Sequence, residues 1–256
     1  MKKFVVVILA MGLLASCGAK PEPKATKTAE PEVSASADVS ETAPAQPSVV
    51  ELDPTKFTDS SAPALFTLGD IKGFVVIRNA DAKRTPAQSK LDESYNTCIG
   101  SSAPTIASID TKKQLIGDHY GKDYSSLTRI FIDSSIAPST DTKADLDYIA
   151  NNSTLSKCLI AYIKKSTEEA NGAPSTDFTY KLISNDNNVV VTQLRAKSMP
   201  PLQDIYITYI TTASQNHVIQ YGVAGLGNNE TVKIKSVEQV VSELKGIIVK
   251  KRELIK

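Results

Sequence analysis

Apolar residues are distributed in blocks along this chain. The first block, Phe4 to Leu14, is apolar throughout apart from Gly12 and follows the basic pair Lys2-Lys3. It is shorter than the roughly 20 residues a bilayer-spanning helix needs, and small residues follow it at once. That pattern predicts a secretory signal over residues 1–16. Residues 18–50 then hold no aromatic side chain and five prolines. Such a segment cannot bury enough apolar surface to offset its ordering entropy, so it reads as an extended tether. At about 3 Å per residue for proline-rich chain, it reaches up to roughly 100 Å.

From about residue 51 the pattern is that of a folded domain running to residue 256. Thr67 and Asp70 can close a brief turn that the chain leaves at Gly73. Phe74 to Ile77 reads as a short strand. Ser126 to Ile136 is rich in β-branched and aromatic residues and reads as another. Lys112 to Ile116 is its expected hairpin partner, across a turn region at Gly117–Tyr124. Leu155, Cys158, Leu159, Tyr162 and Ile163 share one face at helical spacing. Acids at Asp141, Asp145 and Asp147 suit the start of that helical region, and Asn151-Asn152-Ser153 marks a break within it.

Four strand patterns follow: Thr179 to Ser184, Val189 to Lys197, Asp204 to Thr212 and His217 to Gly225. Asn185 to Asn188 and Ser214-Gln215-Asn216 punctuate them as turns. The third has apolar residues on both faces, as a central strand should. Ser236 and Gln239 form a capping-box pattern, ahead of a stripe through Val237, Val240, Leu244 and Ile248. The expected fold is α+β: an antiparallel sheet with helices packed against it, one central and one C-terminal.

Leu14-Ala15-Ser16-Cys17 resembles a bacterial lipobox. The resemblance implies lipid transfer to the Cys17 sulfur and cleavage before it. Two or three acyl chains hold a protein at a membrane where one holds it only marginally. The expected location is the extracytoplasmic face of the cell membrane, with the lipidated Cys17 as the membrane contact. Export puts Cys98 and Cys158 where disulfides persist, so they are expected to pair; two buried thiols are the alternative.

Charge and motifs narrow the chemistry. The chain has 29 basic and 28 acidic residues, and no field strong enough to recruit nucleic acid. It contains no HExxH or GxSxG motif. His119 lies in GDHYGKD, read as a solvated loop rather than a metal site with Asp118 and Asp123. Ser242 to Lys245 matches SxxK literally but lies on the terminal helix. Gly225-Leu226-Gly227 reads as a turn, lacking the lysine-serine pair of a phosphate loop. No catalytic residue, metal site or cofactor is assigned. Tyr206, Tyr209 and Tyr221 are the candidate ligand-binding residues, in a groove expected between the terminal helix and the sheet.

The stretch ALFTLGDIKGFVVI, followed by LDESYNTCIG, resembles the opening of a set of actinobacterial lipoproteins. There a cysteine follows a short polar loop, and a second lies on a helix before a run of strands. The layout is also similar to the extracellular sensor domain of some mycobacterial kinases and to Mog1/PsbP-like domains. What the resemblance implies is a disulfide-stapled sensor or binding domain that engages an envelope ligand or partner. The alternatives are a lipid carrier and a cell-wall enzyme or accessory.

The lipobox reading has a direct test. Intact-mass analysis of membrane-extracted protein should find a chain beginning at Cys17 with added lipid mass. Cys17→Ser should keep residues 1–16 and carry no lipid. Identical masses, apart from the substitution, would refute the anchor.

Overall fold

The structure, a computed structural model, describes residues 63–78, 85–110, 113–125, 128–171, 176–197, 204–227 and 229–255. The signal, the tether and Cys17 lie outside them.

These residues form eight strands: β1 Val75–Arg78, β2 Leu115–Ile116, β3 His119–Ser125, β4 Thr128–Pro138, β5 Thr176–Asp186, β6 Val189–Lys197, β7 Ile205–Ser214 and β8 His217–Gly227. The helices are α1 Pro86–Ile99, α2 Thr142–Asn151, α3 Ser153–Asn171 and α4 Glu230–Arg252. All strands join one antiparallel sheet in the order β1-β3-β4-β8-β7-β6-β5, with β2 pairing the far end of β4. Helices α2 and α3 carry the chain from β4 to the distant edge. The meander β5 to β8 then returns until β8 lies beside β4. The fold is α+β, as the pattern predicted.

Turn chemistry sets the meander. Asn187 and Asn188 both take positive φ, 51° and 62°, between β5 and β6. That is the two-residue turn whose twist matches paired strands, and asparagine tolerates it. Gln215, at φ 48°, helps turn β7 into β8.

Both faces of the sheet are covered. On one, Ile207, Tyr209, Val218, Ala224 and Leu194 pack with Leu91, Tyr95, Leu155, Leu159, Tyr162 and Ile163 from α1 and α3. On the other, Ile130, Ile132, Ile210, Ile219, Tyr221 and Val223 meet Val237, Val240, Leu244 and Ile248 of α4. The N-terminal residues Ala64, Phe66, Ile71 and Phe74 join the second layer. Strand periodicity sorts alternate residues of β4, β7 and β8 to opposite layers, and this is why both sets are apolar.

Four expectations change. Residues 86–99 form α1, where a polar loop before Cys98 was expected. Pro86 opens the helix, and Thr85 and Gln88 cap it reciprocally: the Thr85 amide donates to Gln88 Oε1 at 2.8 Å. Leu91, Tyr95 and Ile99, four residues apart, are its buried stripe. The Gly117–Tyr124 turn region is largely strand β3, paired with β4 from Tyr120↔Ile132 onward. The sheet supplies its backbone partners despite a polar sequence. Helix α4 starts at Glu230 rather than Ser236, because Asn229 caps it by accepting from the Val232 amide at 3.0 Å. Ser236 lies buried inside the helix. Gly225 to Gly227 are the last residues of β8, and α4 follows almost at once.

The break between α2 and α3 falls at Asn152, whose Oδ1 accepts from the Thr154 and Leu155 amides at 2.8 and 3.1 Å. Cys98 of α1 is bonded to Cys158 of α3, with the two Cα atoms 5.7 Å apart. The bond closes a 60-residue separation and fixes α1 to α3. Helix α4 approaches β8 closely at Gly225, where an added Cβ would come within 2.6 Å of Val237 Cγ2.

Two stability outcomes follow from this packing. Replacing both bonded cysteines by serine should cost about 4 kcal/mol in the chain-entropy estimate. Gly225→Ala should cost about 1–3 kcal/mol by pushing α4 off the sheet. Urea unfolding of the variants measures both, and a Gly225→Ala midpoint equal to wild type would contradict the close helix–strand contact.

Candidate functional site

Strand register separates the three candidate tyrosines. Tyr206 and Tyr221 belong to the α4 layer, whereas Tyr209, three residues from Tyr206 on β7, belongs to the opposite layer. All three are buried. Tyr221 Oη donates to the Ala64 carbonyl at 2.8 Å, and Tyr206 Oη accepts from Gln193 Nε2 at 2.6 Å. They do not line one groove. The α4–sheet interface is packed core around Tyr206 and Tyr221.

His119 is not on a solvated loop. It lies on β3, 3% exposed, with its ring stacked on Phe131 at 6.1 Å. Asp123, on the same strand, is exposed and held by a bidentate pairing with Arg129, whose Nη2 donates to Oδ2 at 2.7 Å. Among the described residues no three metal-ligating side chains converge. Near Gly227, Lys233 is buried and its Nζ donates to the Asp204 and Gly227 carbonyls at 3.0 and 3.4 Å. That lysine ties the start of α4 to the end of β8.

Two features stand out. The first is a polar row across the sheet face that α1, α2 and α3 pack on. Arg78 pairs with His119 between β1 and β3. Tyr120 pairs with Ile132, and His119 and Asp133 are the next residues beyond that pair on β3 and β4. Asp133 pairs with Gly222, Gly222 with Tyr209, and Tyr209 with Thr192. Gly222 leaves the space that the acid uses: a Cβ there would lie 2.6 Å from Asp133 Oδ1. Burial drives the Asp133 carboxyl up to about 8, against an opposing pull from the Arg78 guanidinium. Burial, helped by the Arg78 charge, lowers His119 to about 3. Burial also raises Tyr209, with Asp133 and the rings of Tyr95, Tyr180 and Tyr162 adding to the shift. At pH 7 the row therefore contains a mostly protonated acid, a neutral imidazole and a neutral phenol.

The second feature is an open concavity of about 550 Å³ beside the end of α1. Asn96, Thr97, Ser101, Thr105 and Ser108 supply hydroxyl and amide groups to its wall, and Asp110 and Lys113 form an ion pair at 3.5 Å there. Its frame is held firmly. Asn96 Nδ2 donates to the Ile109 carbonyl at 2.9 Å, and the Ile109 amide returns to Asn96 Oδ1 at 2.7 Å. Gln114 Nε2 donates to the carbonyls of Thr105 and Ser108, and Tyr95 Oη to that of Ala107. Cys98, exposed between Thr97 and Ile99, carries the bond to the buried Cys158.

Sequence reasoning missed Asp133 and the concavity. An acid directly after the apolar run Ile130-Phe131-Ile132, within the same strand pattern, was the available signal for Asp133. The concavity is made by loop residues brought back onto α1, and its pattern is not periodic. No protein family, curated protein or solved structure was found to match this chain.

The polar row predicts a pH profile. Asp133 holds its proton more tightly when folded (about 8, against roughly 4 unfolded), so its contribution falls as pH rises through that window. His119 resists protonation when folded (about 3, against roughly 6.5), so its contribution falls as pH drops from 6.5. The two slopes oppose each other between pH 4 and 6.5, and above 6.5 only the Asp133 slope remains. Asp133→Asn should flatten the decline in urea midpoint between pH 6.5 and 8. An unchanged slope would contradict the assignment.

Proposed function

We propose that this chain is a lipid-anchored, extracytoplasmic lipoprotein whose domain binds a polar envelope ligand and performs no chemistry on it. Lipid on Cys17 holds it to the membrane, and the tether carries the domain outward. The observation that supports the binding role is the concavity beside Cys98. Hydroxyls and amides dominate its wall, and hydrogen bonds plus the disulfide fix it before any ligand arrives. Preorganisation of that kind reduces the ordering cost of binding. Hydroxyls and an amide beside the mutually compensating Asp110–Lys113 ion pair suit a hydroxyl-rich ligand without net charge, such as a glycan segment of the envelope. The reading agrees with the disulfide-stapled sensor or binding domain implied by the resemblance to kinase sensor and Mog1/PsbP-like domains.

Titrating the protein with soluble cell-wall glycan fragments, followed by backbone amide NMR, tests this. Saturable shifts should centre on Asn96, Thr97, Thr105 and Ser108, and Thr97→Ala with Ser101→Ala should weaken binding about tenfold. Cleavage of the fragments by the purified protein would overturn the non-enzymatic reading. Shifts confined to other surfaces would overturn the site.

A further inference from the structure

Residues 63–74 lead into β1 and form no strand themselves. Side chains from distant parts of the chain hold their backbone. Lys251, in the last turn of α4, is buried and donates to the Leu65 and Pro63 carbonyls at 2.6 and 3.3 Å. The same Nζ pairs with Asp70 Oδ2 at 2.8 Å, the oxygen that accepts from the Thr67 amide. Tyr221 of β8 donates to the Ala64 carbonyl at 2.8 Å, and Lys122 of β3 to the Lys72 carbonyl at 2.9 Å. The Phe66 amide donates to Ser134 Oγ of β4 at 2.9 Å.

Below this backbone, the Phe66 ring meets Tyr120 and Tyr221 edge-on, with centroids 4.9 and 6.3 Å away. The contact of α4 with β4, β7 and β8 runs through Val237, Val240, Leu244 and Ile248, which are not part of the segment. Lifting residues 63–74 therefore leaves the helix seated on the sheet. Gly73, at φ 86°, is the bend where the segment passes into β1, and β1 keeps its own pairing with β3. Segments outside the strand ladder open locally at lower free energy than core strands.

The position of the segment gives such opening a use. A pull through the preceding chain reaches Pro63 before any other described residue. Lys251 stands near the opposite end of the chain, so a load applied between the two ends falls across the Lys251–Asp70 pair. We propose that residues 63–74 are a load-sensitive strap latched by Lys251. Pulling frees them from α4 and the sheet, and lifts Phe66 off Tyr120 and Tyr221, while both helix layers stay folded.

Two measurements on the full chain test this. In native-state hydrogen exchange, the Phe66 amide should open more readily than the Ile219 and Val223 amides of β8. Lys251→Met and Asp70→Asn should each speed Phe66 exchange at least tenfold and leave the β8 amides unchanged. In single-molecule pulling between the chain ends, a short first event should precede domain unfolding. It should release up to about 40 Å, at roughly 3.4 Å per extended residue. Lys251→Met should lower the force of that event and not of the later one. Phe66 exchange that tracks β8 in wild type, or that neither variant accelerates, would overturn the proposal. A single event releasing the whole domain would overturn it as well.

Discussion

Burial of the sheet on both faces is the constraint from which the rest of this architecture follows. β8 has β4 on one side and β7 on the other, and every residue from Val218 to Gly227 is buried. No alternate position on such a strand is free to face water. Each must be apolar, be paired in a hydrogen bond, or be glycine where something else needs the space. Burying a large aliphatic side chain contributes about 1.5–3 kcal/mol, so the two layers together dominate the stabilising side of folding. Gly225 and Gly222 are the two exceptions with a visible cause: α4 rests against one and the Asp133 carboxyl leans over the other.

The same covering explains how the two ends of the domain meet. α4 seals one face, and its last turn reaches the segment where the chain enters the fold. Lys251 Nζ pairs with Asp70 at 2.8 Å and donates to the carbonyls of Leu65 and Pro63. Tyr221 holds Ala64, and Ser134 Oγ accepts from the Phe66 amide at 2.9 Å. Residues 63–70 are thus fixed by a strand, a neighbouring strand and the terminal helix. A pull arriving from the N-terminal side would load this clasp before it reached the sheet. Both Lys251 and Asp70 are largely shielded, where an ion pair with extra hydrogen bonds is screened less than at the surface.

The two candidate sites differ in how they treat polarity. The concavity beside Cys98 has its framework groups satisfied: Asn96 is bonded to Ile109, and the Thr97 and Ser108 hydroxyls donate to the Glu93 and Thr105 carbonyls. The Asp133 row instead encloses polar atoms, Asp133 Oδ1 and His119 Nε2 among them, between strands. Burial there suppresses charge on both the acid and the imidazole, and leaves their hydrogen-bonding capacity in place.

Local pattern alone carried the α+β class, the meander from β5 to β8, the break at Asn152 and the stripe of α4. Each is a property of a segment's own period and of its turn residues. Helix α1 was also written locally, in Thr85-Pro86 and the Leu91, Tyr95, Ile99 spacing, but polar residues between them resemble a loop. Tertiary structure decided what no segment carries alone. Register put Tyr206 and Tyr209 on opposite faces, pairing with β4 made a strand of the polar stretch around His119, and the covering layer desolvated the half-buried Asp133 enough to raise its carboxyl. The physical reason is that a residue's period is fixed by its own backbone, whereas its solvent, charge state and neighbours are fixed by segments distant in sequence.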